Sequence, residues 1–300
     1  MDQQLEVFIK VVEKENFSKA AEELHMTQPA VSQYIRLLEQ SIGTRLLERN
    51  NKYVRLNKAG EIVFHHAKEI SALYTKMQTL VDDLTNKAGG TIAIGASYTF
   101  GEYILPHIIA KMKEQFPLIH PSIRIQNTKE IIDLVKKHQL DIGIIEGFYE
   151  NAALHSKVVS KDKMVIVASP LHPLLSVKRE ISISDLAEET WILREEGSGT
   201  REAAENLFRR YDFTPKNVME FGSTQVIKES VEAGLGISLL SSWAIKKELA
   251  NGYIGIIHVN GLPFKRNFSI LTPATYQTKA LQTFIEILLT YLSDPRKNRF

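Results

Sequence analysis

The spacing of apolar residues predicts three short helices at the start of the chain. Over residues 2–13, apolar side chains recur at the intervals that form one face of a helix. Ser18 is placed to cap a second helix. A third begins at Thr27 or Gln28, with Pro29 in its first turn, where a missing N–H costs no hydrogen bond.

The predicted third helix has an apolar face and a polar face. Val31, Ile35 and Leu38 share the apolar face, which would pack on the first two helices. A helix that only packs has no need of a polar stripe with so few acids. The polar stripe consists of Gln28, Ser32, Gln33 and Arg36.

Positive charge begins with the third helix. The whole chain has a formal net charge of only +2, which gives no strong case for a nucleic-acid partner. Residues 1–27 hold three basic and six acidic side chains, whereas residues 28–58 hold six basic and two acidic ones. In that basic stretch Asn50-Asn51 predicts a hairpin over 46–56, because Asn tolerates the positive φ of a tight turn.

A helix, a turn, a second helix with polar residues and a basic hairpin form a winged helix-turn-helix. This arrangement places the second of the two helices in the DNA major groove, where base edges can be distinguished. The alternative is a plain helical hairpin with a solvated polar face. The basic hairpin and the long helix that follows it favour the DNA-binding interpretation.

A long helix with a pairing face follows the hairpin. Asn57 is placed to cap it, and Asn86 with Gly89-Gly90 marks its end. Apolar residues recur along it at alternating intervals of four and three, which is the pattern of a helix that pairs with another helix. This seam consists of Val63, Ala67, Ile70, Tyr74, Met77, Val81 and Leu84.

From residue 91 the pattern changes to alternating strands and helices. TIAIGA, IRIQ and DIGII are separated by predicted helices at 101–115 and 129–138, an order that implies a parallel sheet. The order repeats between WILR and GISLL. The segments KEIIDLVKKHQLDIGII and QVIKESVEAGLGISLL both combine an amphipathic helix, a turn and an apolar strand. We therefore expect two similar Rossmann-like α/β lobes, with strands 163–169 and 268–272 crossing between them.

The N-terminal segment resembles a known family. FSKAAEELHMTQPAVSQYIRLLEQSIGTRLLERNNKYVRLNKAGE is similar to the winged helix-turn-helix of LysR-type transcriptional regulators, essentially without gaps over residues 2–60. The remainder resembles the family's linker helix and its two-lobed effector domain, which is like a type 2 periplasmic binding protein. The resemblance implies a DNA-binding domain at 1–58, a dimerisation helix at 59–88 and an effector domain at 89–300. Lobe 1 would comprise 89–162 and 269–300, and lobe 2 would comprise 163–268.

The resemblance also implies partners and DNA-contacting residues. It implies a homotetramer built from dimers that binds promoter DNA, with activation expected over repression and RNA polymerase as a partner of an activator. Gln, Ser and Arg are suited to base edges and phosphates. The expected DNA contacts are Ser18, Gln28, Pro29, Ala30, Ser32, Gln33 and Arg36 in the helices, and Arg49, Asn50 and Lys52 in the wing.

Loops before helices in the two lobes predict a ligand site. Such loops lie at the carboxyl ends of strands, and their hydroxyl and N–H groups suit a small anion, to which Arg201 could add a cationic fork. The family resemblance places the effector between the lobes, at positions that match Ser97, Thr99 and Thr200. The alternative is that these Ser and Thr residues are only helix caps. The expected effector-binding residues are Ser97, Tyr98, Thr99, Thr128, Glu146, Ser198, Thr200, Arg201 and Ser223.

The effector is expected to be a small carboxylate, phosphate or sulfur-containing anion, without any further cofactor. The loop REEGSGTR resembles family members that govern carbon fixation or sulfur assimilation, and we expect a sulfur-assimilation activator.

Other classes of protein are less favoured. GSGTR is not followed by the Lys of a phosphate-binding loop, no GxSxG elbow occurs, and the nine histidines are scattered, so neither an enzyme nor a metal site is expected. The absence of cysteine excludes disulfides and thiolate metal sites. The N-terminus lacks a signal-peptide pattern and no stretch approaches about 18 apolar residues, so we expect a cytoplasmic protein without a membrane partner. The alternative is a cytoplasmic solute-binding or enzymatic α/β protein with an accessory helical domain.

Overall fold

A computed structural model describes residues 2–49, 53–85, 89–152, 154–273 and 277–294 of the chain. It consists of two compact units, Met1–Thr85 and Asn86–Phe300. None of the described helices is both long and apolar enough to cross a membrane.

The first unit is built from four helices and a hairpin. Val31, Ile35 and Leu38 are buried with Phe8 in its core, as the apolar face of the third helix predicts. Gly60 lies so close to the hairpin that a Cβ there would stand 2.1 Å from the Leu46 carbonyl oxygen. The elements are α1 (Gln3–Lys14), α2 (Phe17–Glu23), α3 (Gln28–Ile42), β1 (Leu47–Arg49), β2 (Val54–Leu56) and α4 (Lys58–Thr85).

Polar side chains begin each of these helices. Thr27 caps α3 and Asn57 caps α4, where its Oδ1 accepts the Gly60 N–H at 2.8 Å. The prediction that Ser18 caps α2 is wrong. Asn16 holds the extended cap position, and its Oδ1 accepts the Lys19 N–H at 3.0 Å. The helix therefore starts earlier, at Phe17, and Ser18 is an exposed residue of its first turn.

The apolar seam of α4 divides into two parts. Ala67 is buried in the core of the first unit, and Val63 packs against that core. The later positions are exposed, with Met77 at 52% and Val81 at 58%. The side chain of Leu84 lies outside the described residues. The helix thus packs into its own unit near the N-terminal end and leaves the seam from Ile70 to Val81 exposed.

The second unit alternates strands and helices. The helix predicted over 101–115 is in fact two helices that meet at Ile104, because Pro106 lacks an N–H and its ring disfavours a continuous helix. Its first half comprises β3 (Gly90–Ser97), α5 (Tyr98–Tyr103), α6 (Leu105–Gln115), β4 (Ile119–Gln126), α7 (Thr128–Lys136), β5 (Ile142–Glu146) and β6 (Leu154–Ala168). The remaining elements are β7 (Thr190–Arg194), α8 (Gly199–Arg210), β8 (Asn217–Phe221), α9 (Thr224–Glu232), β9 (Ser238–Ser241), α10 (Lys246–Ala250), β10 (Gly255–Ile257), β11 (Phe264–Pro273) and α11 (Lys279–Ser293), with short 3₁₀ turns at Pro173–Ser176 and Ile183–Leu186.

The strands form two similar lobes. In lobe 1, β4, β3 and β5 are parallel, and β11 runs antiparallel beside β5. In lobe 2, β8 and β7 are parallel, a parallel bridge from Trp191 to Ile237 leads to β9, and β6 runs antiparallel beside β9 with β10 on its other side.

The strands β6 and β11 join the two lobes. They pair antiparallel over most of their length and are longer than the crossing strands predicted from the sequence. Each lobe has its own core, around Phe100 and Phe284 in lobe 1 and around Trp191 and Phe208 in lobe 2.

Candidate nucleic-acid interface and effector cleft

The polar face of α3 is accessible in the first unit. Gln28, Gln33 and Arg36 are exposed, and Gln28 Nε2 donates to Ser32 Oγ at 3.0 Å. Glu39 faces away from this stripe, since its Oε1 accepts the Leu46 N–H at the base of the hairpin at 2.9 Å. The face therefore presents amide, hydroxyl and guanidinium groups of the kind that bind base edges and phosphates.

Two of the other predicted DNA contacts lie on the same helix. Pro29 is exposed and Ala30 half-buried in the first turn of α3. In the hairpin, Arg49 pairs with Val54 in the strand register. The Arg49 side chain and the whole of Asn50 and Lys52 lie outside the described residues. All of these DNA contacts stay predictions.

Hydroxyl groups gather where helices begin in the second unit. Ser198 caps α8 and its Oγ accepts the Thr200 N–H at 3.2 Å, so the helix-cap interpretation accounts for it. Ser97 and Ser223 hold the same position before α5 and α9, but neither side chain makes a cap bond within the described chain. The Ser97 Oγ and Thr128 Oγ1 atoms are buried and find no partner among the described residues. Because buried hydroxyls are normally hydrogen-bonded, capping does not explain these two.

A buried group of three charged residues lies where the two lobes meet. Arg266 Nη1 donates to Glu146 Oε2 at 2.6 Å, and Arg266 Nε donates to Asp162 Oδ2 at 2.8 Å. Glu146 also accepts the Thr99 N–H at 2.8 Å and the Thr200 hydroxyl at 3.1 Å. We call Glu146, Asp162 and Arg266 the ion triad. It joins the crossing strands to the first residues of α5 in lobe 1 and α8 in lobe 2.

The two acids of the triad titrate differently. Burial raises the pKa of Glu146, but the charge of Arg266 and the hydrogen bonds from Thr99 outweigh it, so the pKa lies below its ordinary value. Burial also raises the pKa of Asp162, and there it prevails over Arg266 and Ser241. Glu146 is therefore an ionised partner of Arg266 at neutral pH, whereas burial raises the pKa of Asp162 above its ordinary value.

A second buried cation, Arg194, lies at the end of β7. Its Nε and Nη2 donate to the two carboxylate oxygens of Glu195 at 2.7 and 2.8 Å, and its Nη1 donates to Thr224 Oγ1 at 3.0 Å. The guanidinium carbon is 4.3 Å from the centre of the Tyr98 ring, which brings a predicted site residue onto this cation. Glu195 is 25% exposed, so the counter-ion of Arg194 is partly open to solvent.

Arg201 is turned away from the triad. Its Nε donates to Glu205 at 2.6 Å, and its Nη1 donates to Glu220 at 3.2 Å and to the Arg194 carbonyl at 3.1 Å. It lines a cavity of about 430 Å³ with Thr128 and Ser198. Arg201 therefore lines this cavity, while Arg194 and Arg266 are buried with other partners.

The sequence analysis missed Asp162, Arg194 and Arg266. All three lie in strands and are at most 7% exposed. The signal that could have found Arg194 is a charge at the end of the apolar run WIL, because a charged residue buried in a strand needs a partner. Asp162 and Arg266 have polar neighbours in the sequence, so no apolar run marks either of them as a buried charge.

The two lobes touch beside the triad. The Lys129 N–H donates to the Gly197 carbonyl at 3.1 Å, and Asn127 Nδ2 donates to Glu195 at 3.4 Å. A Cβ on Gly199 would stand 2.5 Å from the Glu146 Cβ, so glycine is needed for this approach. Within the described ranges, acids and histidines form no group of three that could hold a metal ion.

Comparisons with known proteins identify both units. Residues 3–61 match the family described as bacterial regulatory helix-turn-helix protein, lysR family, and residues 85–293 match the LysR substrate binding domain. The chain belongs to the LysR family. This LysR-family protein is 38% identical to the HTH-type transcriptional regulator CysL of Bacillus subtilis, with 95% of each chain covered. It is 32% identical to the HTH-type transcriptional activator CmpR of Synechocystis, with 96% of this chain and 94% of that protein covered.

Solved structures share the fold of this LysR-family regulator. Full-length OxyR from Pseudomonas aeruginosa matches with a TM-score of 0.71 at 24% identity, covering 96% of this chain and 93% of that one. The Synechocystis CcmR regulatory domain in complex with 2-PG matches with a TM-score of 0.63 at 28% identity, covering 69% of this chain and 99% of that one. The fold class predicted from the sequence, an N-terminal helix-turn-helix with a two-lobed α/β domain, is confirmed. The chain is a DNA-binding transcriptional regulator.

Proposed function

We propose that this regulator binds promoter DNA through α3 and the hairpin, and that a small anion in the cleft of the second unit modulates this binding. The observation that carries the proposal is the pair of buried hydroxyls Ser97 Oγ and Thr128 Oγ1, which have no hydrogen-bond partner among the described residues. Ser97 precedes Tyr98, whose ring lies against Arg194, and Thr128 lies near Glu146, the partner of Arg266. A ligand that accepts hydrogen bonds from hydroxyls and carries negative charge suits this combination.

Two relatives support an expectation about the class of ligand and the direction of regulation. The CcmR regulatory domain, at 28% identity, was solved with 2-PG (2-phosphoglycolate), which supports a small phosphate or carboxylate here. CmpR is described as a transcriptional activator, which supports activation. Two further relatives at 32% identity are described as RuBisCO operon transcriptional regulators, so carbon fixation competes with sulfur assimilation as the regulated process.

The exposed part of the α4 seam supports a proposal about assembly. Ile70, Tyr74, Met77 and Val81 form an apolar row at heptad spacing that the first unit leaves exposed. We propose that this row pairs two copies through a dimerisation helix at 59–88, between a DNA-binding domain at 1–58 and an effector domain at 89–300. Two such dimers would form the tetramer on the promoter, in the cytoplasm, where RNA polymerase would be the partner of activation.

Gel shifts with and without effector test the proposal. Thr200→Val should keep promoter affinity but abolish the response to 2-phosphoglycolate or another small anion, because Val lacks the hydroxyl of the cleft. Thr290→Val, on α11 outside the cleft, is the matched control. A normal response from both Thr99→Val and Thr200→Val would show that the site is elsewhere.

DNA binding is tested separately with different duplexes. Sequence-selective and salt-dependent binding is expected of a regulator. Equal affinity for every duplex would instead indicate an architectural DNA-binding protein.

A further inference from the structure

Polar residues end the three parallel strands of lobe 1. Gln126 is the last residue of β4, Ser97 the last residue of β3 and Glu146 the last residue of β5. Because β3 lies between β4 and β5, Ser97 stands between the other two residues. The carboxyl ends of parallel strands are where ligands bind in sheets of this kind. The sequence analysis assigned Ser97 and Glu146 to the effector cleft, but it missed Gln126.

Gln126 lies directly beside Ser97. The two residues are partners in the parallel register of β4 and β3, where neighbouring strands are about 4.8 Å apart and paired side chains point to the same face. Gly95, two residues before Ser97, is on that face too, and a Cβ there would stand 3.0 Å from Ile131 of α7. Gln126 and Ser97 therefore point to the side of the sheet that α7 covers.

Three buried polar atoms in this region have no hydrogen-bond partner among the residues that the structure describes. They are Gln126 Oε1, Ser97 Oγ and Thr128 Oγ1. Ser97 is 1% exposed and Thr128 is 7% exposed, so both side chains are almost completely buried. Buried polar atoms are normally hydrogen-bonded, and an atom left without a partner costs free energy. A ligand that completes the bonds of all three atoms would remove this cost.

The surroundings of Thr128 suit an anionic group. Thr128 is the first residue of α7, and Gly199 is the first residue of α8 in lobe 2. A Cβ on Gly199 would stand 2.9 Å from Thr128 Oγ1, so the N-termini of two helices lie beside this hydroxyl. Helix N-termini carry partial positive charge and stabilise anions.

Gln126 makes a different demand on the ligand. The hydroxyls of Ser97 and Thr128 can donate hydrogen bonds to an anion, whereas an amide oxygen can only accept one. An anion whose polar atoms are all acceptors therefore leaves Gln126 Oε1 buried and unbonded. Only a ligand that also carries an O–H or N–H group can satisfy Gln126 together with the two hydroxyls.

We propose that Gln126 is a specificity-determining residue of the effector cleft, and that it selects a small anion with a hydroxyl or amino group beside the anionic group. The anionic oxygens accept from the Ser97 and Thr128 hydroxyls, and the O–H or N–H of the ligand donates to Gln126 Oε1. This inference rests on the proposed function, because it assigns ligand chemistry to the same cleft.

Calorimetry on the full-length protein tests the selection with two matched acids. The first, 3-phosphoglycerate, carries a hydroxyl beside its carboxylate, and the second, 3-phosphonooxypropanoate, is the same molecule without that hydroxyl. The native protein should bind 3-phosphoglycerate at least about tenfold more tightly, because only this acid can donate to Gln126. Lactate and propionate form a second pair, which differs in the same hydroxyl and lacks the phosphate.

Variants show whether Gln126 causes the preference. Gln126→Leu removes the acceptor and should reduce the preference for the hydroxylated acid to less than about threefold. Gln115→Leu makes the same change at an exposed position of α6 and should keep the full preference. Equal affinity of the native protein for both acids of each pair, or a preference that survives Gln126→Leu, would overturn the role of Gln126.

The same measurements separate this inference from the proposed function. Thr200→Val should weaken the binding of both acids of a pair, because both occupy the cleft. Acids that bind equally well, and that Thr200→Val weakens, would leave the anion site intact and reject only the selection by Gln126. If no acid of either pair gives heat, the selection is also rejected, and the promoter gel shift with 2-phosphoglycolate then tests the proposed function independently.

Discussion

Replacing Arg266 with Met removes the one cation of the ion triad. Glu146 is 2% exposed and Asp162 0% exposed, so both acids would remain buried without their counter-ion. Removing one partner of a buried ion pair costs about 3–5 kcal/mol, because the remaining charge is uncompensated. The Thr99 N–H and the Thr200 and Ser241 hydroxyls still reach the acids, so we expect a loss of about 3 kcal/mol in the free energy of unfolding at pH 7.

The loss should depend on pH. In the native chain the pKa of Glu146 is lowered, so its contribution to stability is present above the pKa of an unfolded Glu and is lost as the pH falls through the lower folded value. In Arg266→Met the burial remains but the opposing charge is gone, so the pKa of both acids should lie above their ordinary values. As the pH falls, protonation removes the uncompensated charges from the variant. The difference in free energy of unfolding between the native protein and the variant should therefore be smaller at pH 5 than at pH 7.

Urea unfolding followed by tryptophan fluorescence measures this loss. The two tryptophans of the chain, Trp191 and Trp243, both lie in the second unit, so the signal reports the unit that contains the triad. Adding Glu146→Gln and Asp162→Asn to the variant removes the uncompensated charges and should recover most of the loss. If Arg266→Met lowers the free energy of unfolding by less than about 1 kcal/mol, or if the difference from the native protein is larger at pH 5 than at pH 7, the role assigned to the triad is refuted.

Further predictions concern DNA binding, lobe contact, assembly and capping. Arg36→Ala should weaken specific promoter binding by about 1–3 kcal/mol in gel shifts if Arg36 reads a base, and an equal loss on random duplex would make it a phosphate contact. Gly199→Ala should destabilise the second unit by about 1–3 kcal/mol in urea, because the new Cβ overlaps Glu146, and an unchanged midpoint would contradict this close approach. Met77→Asp should shift sedimentation towards the monomer, whereas Gln78→Asp, also exposed on α4 but off the seam, should not. Asn16→Ala should cost about 1 kcal/mol of thermal or urea stability, and Ser18→Ala should cost much less.

The spacing of apolar residues predicts most of the fold, because that spacing reflects which side of each element is buried. The apolar faces of α3, α7 and α9 repeat at helical spacing, and their residues are buried as that spacing implies. Helix starts were less predictable, since Asn16 and Ser18 are both good caps and only the chain path selects between them. The crossing strands are longer than predicted, because β6 and β11 include polar residues such as Lys161 and Asn267. An apolar pattern does not extend through these residues, although they pair in the sheet.

The candidate site was predicted only in part. The Ser and Thr residues lie where a loop meets a helix, and the spacing of apolar residues predicts these positions. Asp162 and Arg266 meet across 104 residues of chain, and no local pattern predicts which buried acid a distant arginine will contact. Pairing between β6 and β11 brings Asp162 and Arg266 together, and the sequence alone does not predict that register.

The crossing strands also determine how the second unit can be divided. Since β6 pairs with β9 and β10 of lobe 2, β11 pairs with β5 of lobe 1, and the two pair with each other, the polypeptide passes from lobe 1 to lobe 2 and returns. Lobe 1 is built from two separate stretches of chain, and expressing 163–268 alone would truncate both β6 (Leu154–Ala168) and β11 (Phe264–Pro273). A single protease nick in an outer loop should accordingly leave both pieces associated under native conditions.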